Sequence, residues 1–415
     1  MKERTATTVL TTFLLFLIAS AWLAATNAHG GMLLTKLDSG GEVLWSMDNE
    51  DEKYCDVVAL DENANVYLGC SEHFHKFDSN GEELWKYSEA PTDFLNVDRE
   101  GNSYFVCGDY CVAKRSSDNQ LVWETTFNDA DVFSVSLCPD GGLLVDAFVL
   151  DENDVETDLE IMLSADGDEL WRTSATDLMN EEKYYFDHTL IGGDGSIYVI
   201  AWTYASDELV TIFKLDNNGL LQWTRTLVGN SWSLFLRPDD QGYAYIVLDG
   251  GVEDYSLIKL DSLGSEEWRT SANWSGTWYP DGAVLTDDQR LAVGATLDDY
   301  SGIRVSSFSP EGTQLWSSAY IEDFAASQFV AADSQGNIIL AGYQCTEFED
   351  EMGGCALLTF KFDADGNQLW SNRVSSPNGY GEEVTDLAVD EDDSIYVLGF
   401  YQDQRDEEEE SGCGC

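Results

Sequence analysis

A ten-residue pattern that recurs through the chain constrains its fold more than any other feature. Its clearest copy is KFDADGNQLW, which runs from Lys361 to Trp370. Phe360 and Phe362 alternate with Lys361, and an apolar pair resumes at Leu369, so the pattern contains two short strands. The residues between them suit a tight turn, because Asp bonds the backbone two residues on and Gly accepts positive φ. The segment therefore predicts a β-hairpin.

The pattern occurs eight times, and each copy ends at a tryptophan. Seven residues before the tryptophan stands Asp or Ser, and four before it stands Gly in seven copies and Asn119 in the other. Asn tolerates the left-handed conformation better than most residues with a side chain. The replacement therefore indicates a shared backbone conformation. The eight copies end at Trp45, Trp85, Trp123, Trp171, Trp223, Trp268, Trp316 and Trp370.

A second hairpin pattern lies between successive tryptophan blocks. It again has a strand, a turn that begins with Asp, and a strand. Four strands in each repeat of roughly 40 to 50 residues are typical of a β-propeller blade. The clearest copies span 57–69, 94–106 and 329–342, and degenerate copies begin near Val132, Phe186, Ser233, Tyr279 and Val384.

The two ends of the repeat region each supply half a blade. The first structured segment, 33–45, is a tryptophan block, and the last, 385–400, is an inner hairpin. Together they complete one blade, with inner strands from the C-terminal end and outer strands from the N-terminal end. This arrangement closes the ring and leaves no open sheet edge. We therefore predict an all-β, eight-bladed β-propeller of four-stranded blades over residues 32–400.

A lysine precedes the tryptophan by nine residues in six of the eight copies. In so acidic a chain, this repetition suggests an ion pair with a neighbouring strand. A solvated strand residue is the alternative. The six are Lys36, Lys76, Lys114, Lys214, Lys259 and Lys361.

The blocks KLDSGGEVLW, KFDSNGEELW and KFDADGNQLW, each accompanied by a DxxGNxY-like hairpin, resemble the bacterial propeller repeats of the PQQ-like and SBBP families. The resemblance covers about residues 32–400 and implies that each tryptophan docks between neighbouring blades. PQQ dehydrogenases also use adjacent cysteines and a calcium-chelating acidic site. This sequence has no Cys-Cys pair and no matching quinone-binding residues. The resemblance therefore implies the fold and not the cofactor.

Residues 1–28 have the pattern of a secretory signal peptide. A short basic start precedes an apolar run over 9–25, and Thr26-Asn27-Ala28 offers small residues for cleavage. An uncleaved membrane anchor is the alternative, because the run approaches the roughly 20 residues that span a bilayer. The segment 401–415 is acidic and contains cysteines, and its composition predicts a disordered tail.

The charge of the chain is strongly negative. It carries 78 acidic and 21 basic residues, a formal net charge of −57. Repulsion argues against nucleic acid and anionic membrane surfaces as partners. Two interpretations remain: a surface adapted to high salt, and carboxylate clusters that bind a divalent cation such as calcium. The acids are spread over turns and loops, which favours the first.

The nine cysteines all follow the N-terminal apolar run, which suits an exported protein with disulfides. Six of them flank hairpins or short loops, and local pairing follows from that placement. Cys138 has no predicted partner, and Cys413 and Cys415 are assigned no ligand. The predicted pairs are Cys55–Cys70, Cys107–Cys111 and Cys345–Cys355.

One position of the inner hairpin predicts a binding surface. Counting back seven residues from each hairpin turn reaches the end of the blade beside the central channel. In three successive blades this position holds Tyr185, Trp232 and Tyr279, and Trp274 and Trp278 are close by. These rings either cover the edges of blades or form an aromatic sector for a sugar or an apolar side chain of a partner.

Acidic residues recur two positions further along the same strands. Four of the eight blades carry aspartate there, namely Asp56, Asp93, Asp187 and Asp281. These carboxylates are predicted to ring the channel mouth and bind a cation. Solvated loop acids are the alternative.

Signals of catalysis are weak in this sequence. None of the four histidines lies in a nucleophile, zinc or phosphate motif, and acid pairs are too abundant to mark a general acid and base. No catalytic residue is predicted. The sequence favours an exported, monomeric, non-enzymatic propeller that binds a protein or glycan at the cell surface or in the periplasm. The alternative is an enzyme with its site at the channel mouth, either a cofactor-dependent oxidoreductase or a polysaccharide-cleaving enzyme.

Overall fold

The computed structural model describes residues 30–403 apart from short gaps, and at some strand ends it describes the backbone alone. The predicted signal segment and residues 404–415 of the predicted tail lie outside the described residues, whereas residues 401–403, predicted as part of the disordered tail, end a β-strand instead. The gaps are 53–54, 72, 89–94, 151–155, 179–183, 204–205, 250–253, 274–276, 322–324, 349–350 and 376–378.

Thirty-two strands form eight four-stranded antiparallel sheets, the blades of a β-propeller. The innermost strands are β3 (Cys55–Leu60), β7 (Leu95–Val97), β11 (Asp131–Leu137), β15 (Tyr184–Ile191), β19 (Asn230–Pro238), β23 (Thr277–Leu285), β27 (Ala325–Ala332) and β31 (Gly379–Val389). The second strands are β4 (Val66–Cys70), β8 (Ser103–Val106), β12 (Leu143–Leu150), β16 (Ile197–Thr203), β20 (Ala244–Asp249), β24 (Leu291–Leu297), β28 (Ile338–Phe348) and β32 (Ile395–Asp403).

The outer half of each blade has the same regularity. The third strands are β5 (Phe74–Phe77), β9 (Cys111–Arg115), β13 (Glu156–Leu163), β17 (Ser206–Leu215), β21 (Asp254–Leu260), β25 (Gly302–Phe308), β29 (Glu351–Phe362) and β1 (Gly30–Leu37). The outermost strands are β6 (Glu83–Tyr87), β10 (Leu121–Thr126), β14 (Glu169–Ser174), β18 (Leu221–Val228), β22 (Glu266–Asn273), β26 (Gln314–Ile321), β30 (Gln368–Val374) and β2 (Val43–Asn49). Helix in the described residues is limited to one α-turn, Ala175–Leu178, and one 3-10 turn, Asp298–Tyr300.

The ring closes as the sequence predicts. Innermost strands of neighbouring blades contact one another around the ring, including β31 and β3. The blades are numbered in chain order of their innermost strands, so β3 begins blade 1 and β31 begins blade 8. Blade 8 has the order β2-β1-β32-β31, so its inner strands come from the C-terminal side of the chain and its outer strands from the N-terminal side. The β1–β32 ladder runs in unbroken register from the pair Gly30 and Gln402 to the pair Leu37 and Ile395. The predicted eight-bladed propeller with one shared blade is confirmed.

Sixteen tight turns, two in each blade, share one hydrogen-bond pattern. In the β29–β30 turn, Asp363 N donates to Asn367 O over 2.9 Å and Gly366 N donates to Asp363 O over 3.0 Å. The fourth residue of every such turn has positive φ. Asn119 occupies this position with φ 63°, as its place in the repeat predicts.

Each blade tryptophan docks onto the next blade, the role that the family resemblance implies. Its indole Nε1–H donates to a backbone carbonyl in the turn between the third and fourth strands of that blade. In seven blades the same ring lies against the left-handed glycine of the turn, as Trp316 does at Gly366, and the turn that receives Trp85 has Asn119 at this position. The eight bonds, 2.8–3.1 Å long, join Trp45 to Ser79, Trp85 to Ser117, Trp123 to Ala165, Trp171 to Asn217, Trp223 to Ser262, Trp268 to Pro310, Trp316 to Ala364 and Trp370 to Ser39.

Five of the six repeated lysines make ion pairs, and the same five are buried. In four blades the ammonium meets an aspartate in the turn that joins the first two strands of the same blade. Lys259 instead pairs with Glu267 at 3.4 Å, and Lys114 lies 4.7 Å from the centre of the Tyr104 ring. The alternative of a solvated strand residue is therefore wrong for the five buried lysines. The four pairs are Lys36–Asp390 at 3.6 Å, Lys76–Asp61 at 3.6 Å, Lys214–Asp194 at 3.9 Å and Lys361–Asp333 at 2.8 Å.

The hydrophobic core lies between successive blades. One cluster joins Ile200 and Ile212 of blade 4 to Leu236, Ile246 and Ile258 of blade 5. Second strands are buried on both faces and therefore consist of nearly continuous apolar residues.

Antiparallel order gives the propeller two different faces. The sixteen tight turns lie on one of them, the turn face. Connections from second to third strands, and from each blade to the next, lie on the other, the crossover face. Among the residues that the structure describes, none of the helices has the length and apolar character needed to cross a bilayer.

Candidate functional site on the crossover face

A β-bulge recurs near the crossover end of the innermost strands. The pairing register skips one residue there in six blades. A bulge redirects a side chain and bends the strand. The predicted acidic position is therefore a genuine structural repeat. The skipped residues are Asp56, Phe133, Asp187, Asp281, Gln328 and Thr385.

Two bulged side chains hold the neighbouring blade rather than a ligand. Gln328 Oε1 accepts a hydrogen bond from Val384 N over 2.8 Å. Thr385 Oγ1 donates to Cys55 O, also over 2.8 Å. The bulge therefore ties adjacent innermost strands together at the crossover face.

The four predicted cation ligands do not share one environment. Asp56 is exposed. Asp281 accepts a 2.8 Å hydrogen bond from Thr296 Oγ1, and burial raises its pKa well above the ordinary range. The side chain of Asp187 and the whole of Asp93 lie outside the described residues. A cation at this position stays a prediction.

The predicted aromatic sector is described only through its backbone. Tyr185, Trp232 and Tyr279 lie in β15, β19 and β23, the innermost strands of three consecutive blades. Their side chains and that of Trp278 lie outside the described part of the chain, as does all of Trp274. The aromatic surface therefore stays a prediction as well.

Blade 1 contains a charged cluster that the sequence did not predict. Glu52 comes from the connection between β2 and β3, and it is 1% exposed. His73 Nδ1 lies 2.9 Å, His75 Nε2 3.1 Å and Lys86 Nζ 2.6 Å from Glu52 Oε1. Two of the four histidines of the chain thus converge on one buried carboxylate. We call these four residues the Glu52 cluster.

Burial and charge act in opposite directions within the Glu52 cluster. Burial alone would raise the pKa of Glu52, but hydrogen bonds from Lys86 and His73 outweigh it and hold that pKa below its ordinary value. For His75, burial dominates and lowers the pKa in spite of the nearby carboxylate. Glu52 is therefore ionised and His75 neutral at neutral pH.

A second buried group lies between blades 3 and 4. Asp146 and Glu160 face each other across β12 and β13, and Thr189 Oγ1 of the next blade donates to Glu160 Oε1 over 2.6 Å. Burial raises the pKa of both carboxyl groups, and the charge of Asp146 raises that of Glu160 further. Two like charges so close cannot both ionise cheaply, so this buried pair favours the protonated form of a carboxyl group.

The three predicted cysteine pairs are all brought together, and all lie on the crossover face. Cys55 and Cys70 are direct cross-strand partners, as are Cys345 and Cys355. Cys138 is buried beside Met162, with its Sγ 3.8 Å from the Met162 sulfur, and burial raises its thiol pKa to about 12. It is therefore unreactive. The paired Cα atoms are 3.9 Å apart for Cys55–Cys70, 5.0 Å for Cys107–Cys111 and 3.8 Å for Cys345–Cys355.

The fold places the chain among the β-propellers. No protein-family model and no curated protein matches the sequence. Among solved structures, the Dos1 propeller is similar with a TM-score of 0.55 and 12% identity, over 84% of this chain and 92% of that one. Dihydro-heme d1 dehydrogenase NirN, in complex with DHE, has a TM-score of 0.53 and 13% identity, over 81% of this chain and 66% of that one.

A third similar structure is BamB from Moraxella catarrhalis. It has a TM-score of 0.48 and 13% identity, over 82% of this chain and 95% of that one. At such low identities, the similarity to the other two structures shows the propeller fold alone.

Proposed function

We propose that this protein is an exported, non-enzymatic propeller that binds a protein or glycan partner through its crossover face. The observation that carries this proposal is the difference between the two faces. The turn face repeats one turn sixteen times and docks the tryptophans on eight of those turns. The crossover face carries what does not repeat: the Glu52 cluster, the three cysteine pairs and blade connections of unequal length.

Propeller function commonly resides where a regular scaffold presents irregular segments, because connecting segments vary without disturbing the core. Here the cysteine pairs close the ends of β3–β4, β8–β9 and β28–β29 on that same face. Disulfides persist in oxidising compartments, which supports export. The predicted aromatic sector, Tyr185, Trp232 and Tyr279, begins innermost strands on the same face and supplies the proposed contact surface.

Site-specific photo-crosslinking tests the proposal in the native host. A photoreactive phenylalanine replaces exposed Asp56 on the crossover face, and the matched variant replaces exposed Asn80 on the turn face of the same blade. We expect a discrete cross-linked species from position 56 and none from position 80. Cross-linking from position 80 alone, or from neither, would contradict the proposal.

A binding assay then separates the aromatic sector from the rest of the face. Trp232→Ala is expected to weaken capture of the cross-linked partner, or of a glycan identified on an array, by about tenfold or more, as for a central aromatic contact. Its circular dichroism should match that of the unmodified protein. Unchanged capture would remove Trp232 from the binding surface.

A further inference from the structure

The donor atoms of the Glu52 cluster have the composition of a transition-metal site. Glu52 Oε1 has one imidazole nitrogen at 2.9 Å and a second at 3.1 Å, from His73 and His75. Ligands of a tetrahedral zinc ion lie about 2.0–2.2 Å from the metal, so two of them are roughly 3.3 Å from each other. The spacing between Glu52 and each histidine is therefore close to that of two ligands on one ion.

His75 lacks the hydrogen bonds that a buried imidazole needs. It is 1% exposed, and neither Nδ1 nor Nε2 has a hydrogen-bond partner in the described structure, although Nε2 lies 3.1 Å from Glu52 Oε1. The two groups are close but not aligned for a hydrogen bond. An unpaired buried polar group costs on the order of 1–3 kcal/mol. A metal ion at Nε2 would satisfy this nitrogen, because imidazole is a common metal ligand.

A cation already occupies the open side of Glu52. Lys86 Nζ lies 2.6 Å from Oε1. The Lys86 side chain is 33% exposed and comes from β6, so it can rotate into solvent without disturbing the core. The neighbouring Cys70 sulfur is within 4.8 Å of the Glu52 and His75 donor atoms. It is paired with Cys55, so it offers no thiolate to a metal.

We propose that Glu52, His73 and His75 bind one divalent transition-metal ion of the zinc class, which replaces the Lys86 ammonium. Imidazole ligands select zinc, copper and nickel, whereas calcium and magnesium prefer sites made only of oxygen. The donor atoms that lie within 4.8 Å of one another here belong to Glu52, Cys70 and His75. His73 lies next to β5 and is 21% exposed on its side chain, so it would have to turn toward the ion from the solvent side to become the third ligand. Three protein ligands leave one coordination position open, as in sites that hold water or a partner's side chain.

Titration with Zn²⁺ in millimolar Mg²⁺ tests the site, because Mg²⁺ saturates the acidic surface. We expect one tight Zn²⁺ per chain. The double variant His73→Gln/His75→Gln should bind Zn²⁺ about tenfold or more weakly, since each substitution removes a ligand. Lys86→Gln should strengthen it severalfold, because the competing ammonium is gone. Co²⁺ bound to the unmodified protein should show visible absorption bands that the double variant lacks.

His188→Gln is the matched control. This histidine lies in β15, away from blade 1, and its replacement should leave Zn²⁺ affinity unchanged. The proposal is overturned if the double variant binds Zn²⁺ as tightly as the unmodified protein. It is equally overturned if Lys86→Gln weakens binding or if His188→Gln weakens it as much as the double variant does. Circular dichroism on each variant separates loss of the ligand from loss of the fold.

Discussion

Some carboxyl groups at the boundaries between blades accept structural hydrogen bonds although burial favours their protonated form. Asp386 is one of these, because it reaches from β31 to the innermost strand of blade 1. Its Oδ2 accepts a hydrogen bond from Val58 N and its Oδ1 one from Leu387 N, each over 2.8 Å. Burial nevertheless outweighs these bonds and raises its pKa from 3.8 to about 6. Ionisation of this one group therefore opposes folding at neutral pH.

The sign of its pH dependence follows from linkage. A raised pKa in the folded state means that the folded state binds the proton more tightly, so stability falls as pH rises from about 4 to about 6. The contribution is about 2–3 kcal/mol over that window. Asp386→Asn cannot ionise, so its free energy of unfolding should not show this fall with pH. The variant also loses one carboxylate oxygen as a hydrogen-bond acceptor, and that loss is the same at every pH. Urea denaturation of both proteins at about pH 4, 5, 6 and 7 measures the difference, and parallel curves would refute the assignment.

Residues whose role is local could be predicted from the sequence, and residues whose role depends on distant neighbours could not. Asn119 and the Cys345–Cys355 pair belong to single hairpins, so spacing alone predicts their conformation and pairing. Glu52 meets His73 and His75 only because one blade connection folds over the next blade. Alternation of His73 and His75 was a visible signal. Nothing in the sequence around Glu52 distinguishes it from the many other acids.

The repeating element of this propeller is a turn together with the tryptophan of the preceding blade. Positive φ requires glycine at most of these turns for backbone reasons. At seven of the eight third-to-fourth-strand turns a second requirement applies, because an indole ring covers the place where a Cβ would stand, whereas the eighth turn carries Asn119. At Gly366 that Cβ would be 2.5 Å from Trp316, whereas at Gly195 nothing lies within 4 Å. The two requirements can therefore be separated.

Gly366→Ala and Gly195→Ala form a matched pair, with φ of 84° and 77°. Gly195→Ala should cost about 1–2 kcal/mol in the free energy of unfolding, the penalty of left-handed backbone. Gly366→Ala should cost about 1–3 kcal/mol more, because the methyl group displaces Trp316. Denaturant titration followed by tryptophan fluorescence measures the free energy of unfolding of each variant and so gives both losses. Equal losses for the two variants would show that the indole contact adds nothing.

At the same scale, the element order was predictable but the exact ion-pair partners were not. Period-two alternation and turn residues specify the hairpins. The partner of Lys36 is a turn aspartate near the other end of the chain, Asp390, because blade 8 combines both ends. The separation of Lys36 and Asp390 along the sequence therefore conceals this contact, although the equivalent pair in blade 7, Lys361 and Asp333, lies close together in the sequence.

The whole ring depends on the strands that the N-terminal side contributes. All eight residues of β1 are buried, among them Met32, Leu33, Leu34 and Leu37. Burial of these four side chains contributes about 6–12 kcal/mol at about 1.5–3 kcal/mol each. That sum is comparable with the whole stability of a typical protein. Blade 8 cannot be expected to persist without β1.

Deletion of residues 30–49 should therefore abolish cooperative thermal unfolding of the entire propeller, not of one blade alone. A circular permutant is the control. It joins Asp403 to Gly30 through a short turn and opens the chain in the β11–β12 turn between Pro139 and Asp140, which are exposed and dock no tryptophan. It should keep the fold and its melting temperature or raise it. Differential scanning calorimetry compares the three proteins. A deletion variant that melts at the original temperature would show that the ring does not need its shared blade.

Closure through β1 and β32 also determines how the propeller responds to a pulling force. The described chain enters β1 at Gly30, which is paired with Gln402 near the end of β32, so both ends leave the ring side by side. Hydrogen bonds of an antiparallel pair run perpendicular to the strands. Tension applied at these two ends therefore breaks them one after another, from Gly30 toward Leu37, and never loads the ladder in shear. The seam that gives the ring its thermal stability is thus its mechanical weak point, and it opens before the seven continuous blades bear any load.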